Sequence, residues 1–431
     1  MSPGNSANKY WRRRDVIKLL GTTAVAGPAI LRGTAATAAT SKVIKIGHVS
    51  SPTGVFAPFA QADPFVLNQI RTALSKGIGN GRVNYEVQII SKDSQSNTNR
   101  ASEVASDLIF KDKVDLLVSS GAPEITNAVA DQAEANEIPC ITGMTPWQPY
   151  FFGRHGIPDK GFIWTYHFCF GMEDIIAAFL NLWESVETNK VVGALFPNDI
   201  GGNSWADAKH GFPPALQKAG YKLIDTGRFQ PVSEDYGLQI SVFKNAGVEI
   251  VTGTITTPDF TTFWNQAAQQ SFKPKVVTIG KALLFPDSVA ALGGRADGLS
   301  CEIWWSPSHP FKSGLTGQSA KELCDAYEQS TGRPWTQPIG FQHALFEVAI
   351  DVLKRAKNLD EPASILEAIV TTDYQSVVGP IKWSGKPVKN VSKTPLVAGQ
   401  WRKRGNGFEL IICENATSPN IKAQDKLRVL S

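Results

Sequence analysis

Short apolar segments rich in β-branched residues alternate along this chain with longer amphipathic segments. Residues 43–49 form the first apolar run, and residues 64–75 follow it with helical spacing. Strands that alternate with helices of ten or more residues predict a parallel sheet covered on both faces. The alternation starts again near residue 175, with further strand candidates at 191–196 and 276–279. The sequence therefore predicts an α/β fold with two doubly wound units.

The loops that follow the predicted strands are the informative part of such a fold. In open α/β sheets, ligands bind beyond the carboxyl ends of the strands. These loops are rich in Ser, Thr, Gly and aromatic residues, and they span residues 50–59, 119–123, 142–147, 197–204, 253–259 and 280–285. Hydroxyls and backbone amides suit a small polar group, and aromatic rings suit an apolar one. We therefore expect a ligand cleft between the two units.

The first forty residues have the order of an export signal. Arg12, Arg13 and Arg14 precede an uncharged stretch at 19–31 and small residues at 33–40. A basic head, a short apolar segment and a small-residue end are typical of export signals, and the adjacent arginines fit the twin-arginine pattern. We predict that residues 1–40 are a twin-arginine-type signal. A basic leader on a cytoplasmic protein is the alternative.

This segment also explains the charge of the chain. Residues 1–40 carry six basic residues against one acidic residue, so the net charge of +4 becomes about −1 without them. A nearly neutral remainder argues against nucleic acid as a partner. None of the five cysteines lies in a C-x-x-C pair, and no two histidines have metal-ligand spacing within one element. The sequence predicts no metal and no cofactor.

Several short sequence motifs lie at the ends of predicted strands and helices. They are Ile46-Gly47-His48 with Thr53-Gly54, Val118-Ser119-Ser120-Gly121, Ile138-Pro139-Cys140-Ile141, Asp235-Tyr236, Lys244-Asn245-Ala246-Gly247-Val248 and the run 377–383. Their order and spacing resemble the periplasmic Leu/Ile/Val-binding type of solute-binding protein, a receptor of branched-chain amino acid ABC transporters. The resemblance covers nearly all of residues 42–431.

The resemblance implies two α/β lobes joined by three hinge crossings, with the ligand cleft between the lobes. The crossings are expected near residues 162–170, 299–306 and 378–383. The implied lobes are residues 42–165 plus 304–379 and residues 166–303 plus 380–431.

The function that the resemblance implies is extracytoplasmic capture of a small polar or amphipathic solute and its delivery to an ABC importer. The partners would be that solute and the permease in the inner membrane, and the protein would be a monomer in the periplasm. A ligand-sensing module of the same fold that signals to a receptor is an alternative. An enzyme is a second alternative, but the chain lacks the G-x-S-x-G, H-E-x-x-H, phosphate-loop and G-x-G-x-x-G motifs.

The resemblance also indicates candidate ligand-binding residues. In relatives that bind amino acids, hydroxyls and amides of the first lobe hold the carboxylate, and an acid of the second lobe holds the ammonium group. Here Lys281 lies near the place of that acid, and Asn198 and Asp199 replace a frequent tyrosine. The candidates are Phe56, Phe59, Ser120, Gly121, Ala122, Thr145, Trp147, Asn198, Asp199, Thr256, Lys281 and Trp305.

The chemistry of these candidates predicts a class of ligand. A free ammonium group beside Lys281 would meet a like charge, unless Asp199 lay closer. We therefore expect an organic acid or amide-like ligand with an apolar or aromatic body, ahead of leucine, isoleucine or valine. Trp147 lies between Pro146 and Pro149, so we expect it in a loop and outside the core.

Overall fold

The computed structural model describes residues 42–81 and 83–430. The predicted export signal, residues 1–40, lies outside the described residues. Sixteen strands occur in the described part of the chain. They are β1 (Lys42–Ser50), β2 (Ile78–Asn80), β3 (Val83–Asp93), β4 (Leu116–Ser120), β5 (Cys140–Gly143), β6 (Thr165–Phe168), β7 (Val191–Leu195), β8 (Lys222–Asp225), β9 (Ile250–Ile255), β10 (Val276–Lys281), β11 (Ser300–Ile303), β12 (Asp373–Ser376), β13 (Gly379–Lys382), β14 (Val391–Ser392), β15 (Val397–Arg404) and β16 (Gly407–Glu414).

Fourteen α-helices accompany these strands in the described residues. They are α1 (Ala57–Ala60), α2 (Asp63–Ala73), α3 (Thr98–Asp107), α4 (Pro123–Ala135), α5 (Trp147–Phe151), α6 (Met172–Glu184), α7 (Ile200–Trp205), α8 (Phe212–Lys218), α9 (Gly237–Asn245), α10 (Thr257–Gln269), α11 (Pro286–Ala290), α12 (Ala320–Thr331), α13 (Pro338–Arg355) and α14 (Pro362–Val370). None of the helices in this part of the chain is long and apolar enough to cross a membrane.

The strands form two seven-stranded sheets and one small hairpin. The first sheet has the order β14–β6–β5–β4–β1–β3–β2, and the second has the order β16–β15–β11–β10–β9–β7–β8. Most pairs are parallel, while β2, β15 and β16 pair antiparallel with their neighbours. In each sheet the order reverses at the first long strand, β1 or β7. The predicted α/β fold with two doubly wound units is confirmed.

The central strands are apolar because helices cover both faces of each sheet. Every residue of β4, β9 and β10 is buried, as expected for parallel strands between two helical layers. Helix α13 is the longest helix of the described residues, and fifteen of its eighteen residues are buried. It packs against β4, β5 and α2 of the first sheet.

The described chain passes between the sheets three times. Residues 169–171 lead from β6 to α6, the segment after Ile303 leads back, and residues 393–396 join β14 to β15. The third passage lies downstream of the predicted crossing at 378–383. The reason is that residues 379–382 pair with residues 373–376 in the small hairpin.

The predicted lobe boundaries differ from the strand pairing at their margins. Strands β6 and β14 pair with each other in the first sheet. The predicted first lobe ends at residue 165 and resumes at 304–379. Strand pairing would therefore extend its first part to Phe168 and its second part to Ser392.

The composition of residues 206–219 predicts a mostly helical segment, and the structure confirms only its second half. A turn at 206–211 separates α7 from α8. The carboxylate of Asp207 accepts hydrogen bonds from the backbone N–H groups of Lys209 and His210. Such a local side-chain bond competes with the helix. Proline within the first turn of α8 then restarts it.

Candidate ligand-binding site between the two sheets

A cavity lies where the carboxyl ends of the two sheets face each other. The space in it that the centre of a water molecule can occupy is about 40 Å³. Three groups of residues line it. The first sheet and its loops contribute Phe59, Gly121, Ala122, Met144 and Thr145, the second contributes Trp205, Thr254, Lys281, Leu284 and Glu302, and the passages between the sheets contribute Phe170 and Trp304. This is the position at which open α/β sheets bind ligands.

Five of the sequence candidates line the cavity: Phe59, Gly121, Ala122, Thr145 and Lys281. They lie at or just after the carboxyl ends of four strands, β1, β4, β5 and β10, and the fold brings them together. Lys281 is the last residue of β10, so it lies at the carboxyl end of the second sheet, which faces the cleft.

Two further candidates, Asp199 and Phe56, contact Lys281 but do not themselves line the cavity. The ammonium group of Lys281 lies 2.9 Å from a carboxylate oxygen of Asp199. The same group lies 5.6 Å from the centre of the Phe56 ring, within range of a cation–π contact.

The other candidates do not line the cavity. Asn198 is exposed, and the buried hydroxyl of Thr256 donates a hydrogen bond to Asp259. The hydroxyl of Ser120 donates to the side-chain carbonyl of Gln342.

Both candidate tryptophans outside the cavity are packed into the protein. Trp147 is not in a loop: it begins α5, is 7% exposed and donates from its ring N–H to Glu173. Trp305 is fully buried, and its ring N–H donates to the carbonyl of Val377. A Cβ atom on Gly340 of α13 would lie 2.3 Å from the Trp305 ring, so helix and ring are in close contact.

The hydroxyl proton of Thr145 is already used within the protein. Its Oγ1 donates to the carbonyl of Gly121 over 2.5 Å. The backbone carbonyl of Thr145 accepts a hydrogen bond from His167, which fixes this loop from the other side. A hydroxyl that donates internally can still accept. Thr145 therefore offers the cavity an acceptor rather than a donor.

Lys281 is held in an unusual backbone conformation. Its φ is 56° and its ψ is −71°, in the region that favours glycine. Backbone strain of this kind persists only where surrounding contacts hold the residue in that conformation, and it occurs often at binding sites. Here the ammonium group is fixed by Asp199 and lies 3.8 Å from Glu124 at the first turn of α4.

The charges of this group depend on one another. Burial by itself lowers the pKa of Lys281, but the carboxylates of Glu124 and Asp199 outweigh it and raise that pKa above its ordinary value. Burial raises the pKa of Glu124, and Lys281 opposes that effect. Lys281 is therefore a charged lysine whose positive charge is already balanced by the chain's own acids.

Sequence reasoning missed Glu302, which lies in β11 and lines the cavity. Its side chain is 4% exposed, and its Oε2 has no hydrogen-bond partner among the described residues. Burial raises the pKa of Glu302 to about 7. One signal was available: Glu302 is a lone acid in the apolar run 299–305, within the predicted second crossing.

The lining of the cavity suits the binding of a small molecule. The cavity has apolar and aromatic walls with a few polar groups, which is typical of small-molecule sites. In the described part of the chain, no cluster of three or more His, Cys, Asp or Glu side chains is arranged to hold a metal ion.

Residues 43–406 match the model of a family described as periplasmic binding protein. No curated protein sequence matches the chain at a significant level. Solved structures match in fold. One is the leucine-binding protein LivK from Thermotoga maritima, 18% identical, with a TM-score of 0.70, covering 86% of this chain and 99% of that chain.

Two more neighbours were solved with ligands. LivJ from Streptococcus pneumoniae, in complex with isoleucine, is 16% identical with a TM-score of 0.67, covering 86% of this chain and all of that chain. A solute-binding protein of an ABC transporter from Rhodopseudomonas palustris, in complex with 3,4-dihydroxybenzoic acid, is 16% identical with a TM-score of 0.70, covering 88% and 98%. The fold and the family model confirm the resemblance predicted from the sequence. The chain belongs to the periplasmic binding protein family, whose model spans most of its length.

Proposed function

We propose that this protein captures a small solute with an apolar or aromatic body outside the cytoplasm and delivers it to the permease of an ABC importer. The observation that carries the proposal is the cavity between the carboxyl ends of the two sheets. A ligand there touches both sheets at once, so its binding is linked to their relative position. A transporter can distinguish the loaded from the empty protein by that position.

The walls of the cavity support an apolar body for the solute. The rings of Phe59, Phe170, Trp205 and Trp304 line it together with Met144. Aromatic walls of this kind suit a branched aliphatic or an aromatic group. The ligands named for the neighbours, isoleucine and 3,4-dihydroxybenzoic acid, have bodies of these two kinds.

The polar side of the cavity changes one sequence-based argument. The expectation of an organic acid rests on the repulsion that a free ammonium group of the ligand would meet beside Lys281, unless Asp199 lay closer. In the structure Lys281 is paired with Asp199. That argument for an acid therefore no longer applies, and Asp199 is equally committed.

A thermal-shift screen of amino acids, amines, amides and aromatic acids on residues 42–431 tests the proposal. A solute at a hundred times its dissociation constant should stabilise the folded protein by about 2.7 kcal/mol. Trp304→Ala should abolish most of this shift, because Trp304 lines the cavity.

Trp264→Ala is the matched control. Trp264 lies in α10 beside residues 273–275, which precede β10 at the end of the sheet opposite the cavity. The shift should therefore survive in this variant. A screen without a stabilising compound, or equal losses in both variants, would contradict solute capture at this cavity.

A further inference from the structure

Glu302 is a buried acid without a counter-ion. Its side chain is 4% exposed, and no lysine, arginine or histidine forms an ion pair with it among the described residues. Its Oε2 lacks a hydrogen-bond partner there, although the side chain lines the cavity. An unpaired polar group of this kind destabilises the folded protein, and a charged one does so more strongly. A partner supplied by a ligand would remove that destabilisation.

The positive charge nearest to the cavity is not available to Glu302. The Lys281 ammonium group is paired with Asp199 at 2.9 Å and lies 3.8 Å from Glu124. An anionic solute would thus meet three acids and one lysine that is already neutralised. A cationic or N–H-donating group would meet an acceptor without a partner.

The partial positive charge at the N-terminus of α4 is also balanced by an acid of the chain itself. Gly121, Ala122 and Pro123, where α4 begins, line the cavity. A helix N-terminus favours an anion, but Glu124 supplies a carboxylate within the first turn of this helix. The helix therefore gives no net reason to expect an anionic ligand group.

A second acceptor faces the same space. Thr145 lines the cavity, and its hydroxyl proton is committed to the carbonyl of Gly121. The hydroxyl oxygen can accept from a ligand. Glu302 and Thr145 thus present acceptors from different elements, β11 and the loop after β5.

We propose that Glu302, with Thr145, binds a nitrogen-bearing group of the solute, an ammonium or an amide N–H, and that the cavity selects such solutes over plain carboxylic acids. This inference rests on the proposed function. It makes Glu302, a residue of the strand that leads into the second passage, the determinant of solute class.

Matched probes test the inference. One set is leucine, 3-methylbutylamine and 4-methylpentanoate, and the other is phenylalanine, 2-phenylethylamine and 3-phenylpropanoate. Each set keeps one apolar body and varies the polar group. Titration calorimetry on residues 42–431 should show that the nitrogen-bearing probes bind at least about tenfold more tightly than the acids, since a hydrogen bond to a charged group is worth about 1.5–3 kcal/mol.

Glu302→Gln should weaken binding of the amines about 10- to 100-fold and leave the acids unchanged or tighter. Glu302→Asp keeps the charge and should keep the preference for nitrogen at reduced affinity. Glu347→Gln is the matched control, because Glu347 is also a buried acid but does not line the cavity. It should leave the selectivity unchanged.

The outcomes separate this inference from the proposed function. If probes bind but Glu302→Gln leaves the ratio of amine to acid affinity unchanged, Glu302 is a structural residue and the inference fails, while solute capture stands. Tighter binding of the acids by the unaltered protein would also overturn it. If none of the six probes binds, the inference fails, and the wider solute screen decides the proposed function separately.

Discussion

The ammonium group of Lys281 lies 2.9 Å from the carboxylate of Asp199. Two opposite hypotheses from the sequence depend on these residues: Lys281 as a charge that repels an ammonium group of the ligand, or Asp199 as the partner of that ammonium group. The structure pairs the two side chains with each other. Both are mostly buried, at 9% and 12% exposed, so the pair is a fixed element of the cleft.

Lys281→Met should destabilise the protein by about 3 kcal/mol, because removal of one partner leaves a buried charge uncompensated. Asp199→Asn should cost less, since asparagine can still accept the hydrogen bond from the Gly202 N–H at the start of α7. Urea unfolding of residues 42–431 measures both free energies.

The double variant Lys281→Met, Asp199→Asn serves as the control. Its cost should be smaller than the sum of the single costs by more than about 1 kcal/mol, because residues that form one ion pair are coupled. Additive costs would show that the pair contributes nothing beyond its separate members.

Gly340→Ala should destabilise the protein by about 1–3 kcal/mol or more. Its new Cβ would lie 2.3 Å from the ring of Trp305, which is fully buried. Gly294→Ala is the matched control, since nothing lies within 4 Å of its Cβ position. Thermal unfolding compares the two. Similar melting temperatures would show that α13 can shift away from Trp305.

The order of elements was predictable because it depends on local composition. Buried parallel strands are continuous apolar runs, so the runs at 43–49, 191–196 and 276–279 predict strands close to their observed bounds. The same alternation of apolar and amphipathic segments predicts where each unit begins and which loops follow the carboxyl ends of its strands. These loops supply eleven of the residues that line the cavity.

The details of the site were not predictable because they depend on tertiary placement. Asp199 and Lys281 are 82 residues apart, and no local pattern reports their distance. Trp304 and Trp305 are neighbours, yet Trp304 lines the cavity while Trp305 packs against α13. Successive side chains of an extended segment point to opposite sides, so an error of one residue exchanges their roles.

The stability of the protein should depend on pH through Glu347. Burial raises the pKa of Glu347 from 4.5 to about 8, and burial lowers the pKa of its neighbour His343 to about 4, so both are neutral near pH 7. A folded-state pKa above the unfolded value gives stability that is complete below about pH 4.5 and is lost as pH rises through 8.

Glu347→Gln should remove this dependence. The difference in unfolding free energy between the unaltered protein and the variant should change by more than about 1.4 kcal/mol, the value of one pKa unit, between pH 4.5 and 8. Urea unfolding at several pH values measures it. Glu86→Gln, at an exposed position of β3, should follow the unaltered protein. If the difference in unfolding free energy between the unaltered protein and Glu347→Gln does not change with pH, the raised pKa of Glu347 is refuted.

Two aromatic rings join the two units beside the cavity. The Phe59 ring follows β1 and meets the Phe285 ring, which follows β10, at 4.8 Å and an angle of 78°. Nearby, the Gln61 side chain donates to Asp287 over 2.6 Å. An edge-to-face pair is worth about 0.5–1.5 kcal/mol beyond burial. We expect this pair to favour the closed arrangement of the two units.

Phe285→Leu should therefore raise the open fraction about two- to tenfold. Small-angle X-ray scattering should show a larger radius of gyration without ligand, and stopped-flow release of the tightest of the six probes should be faster by a similar factor. Phe272→Leu is the control, because Phe272 contacts Phe243 within the second unit and should change stability without opening the cleft. If both variants release the probe at the same rate, the Phe59–Phe285 contact does not control closure, and the strain at Lys281 becomes the next feature to test.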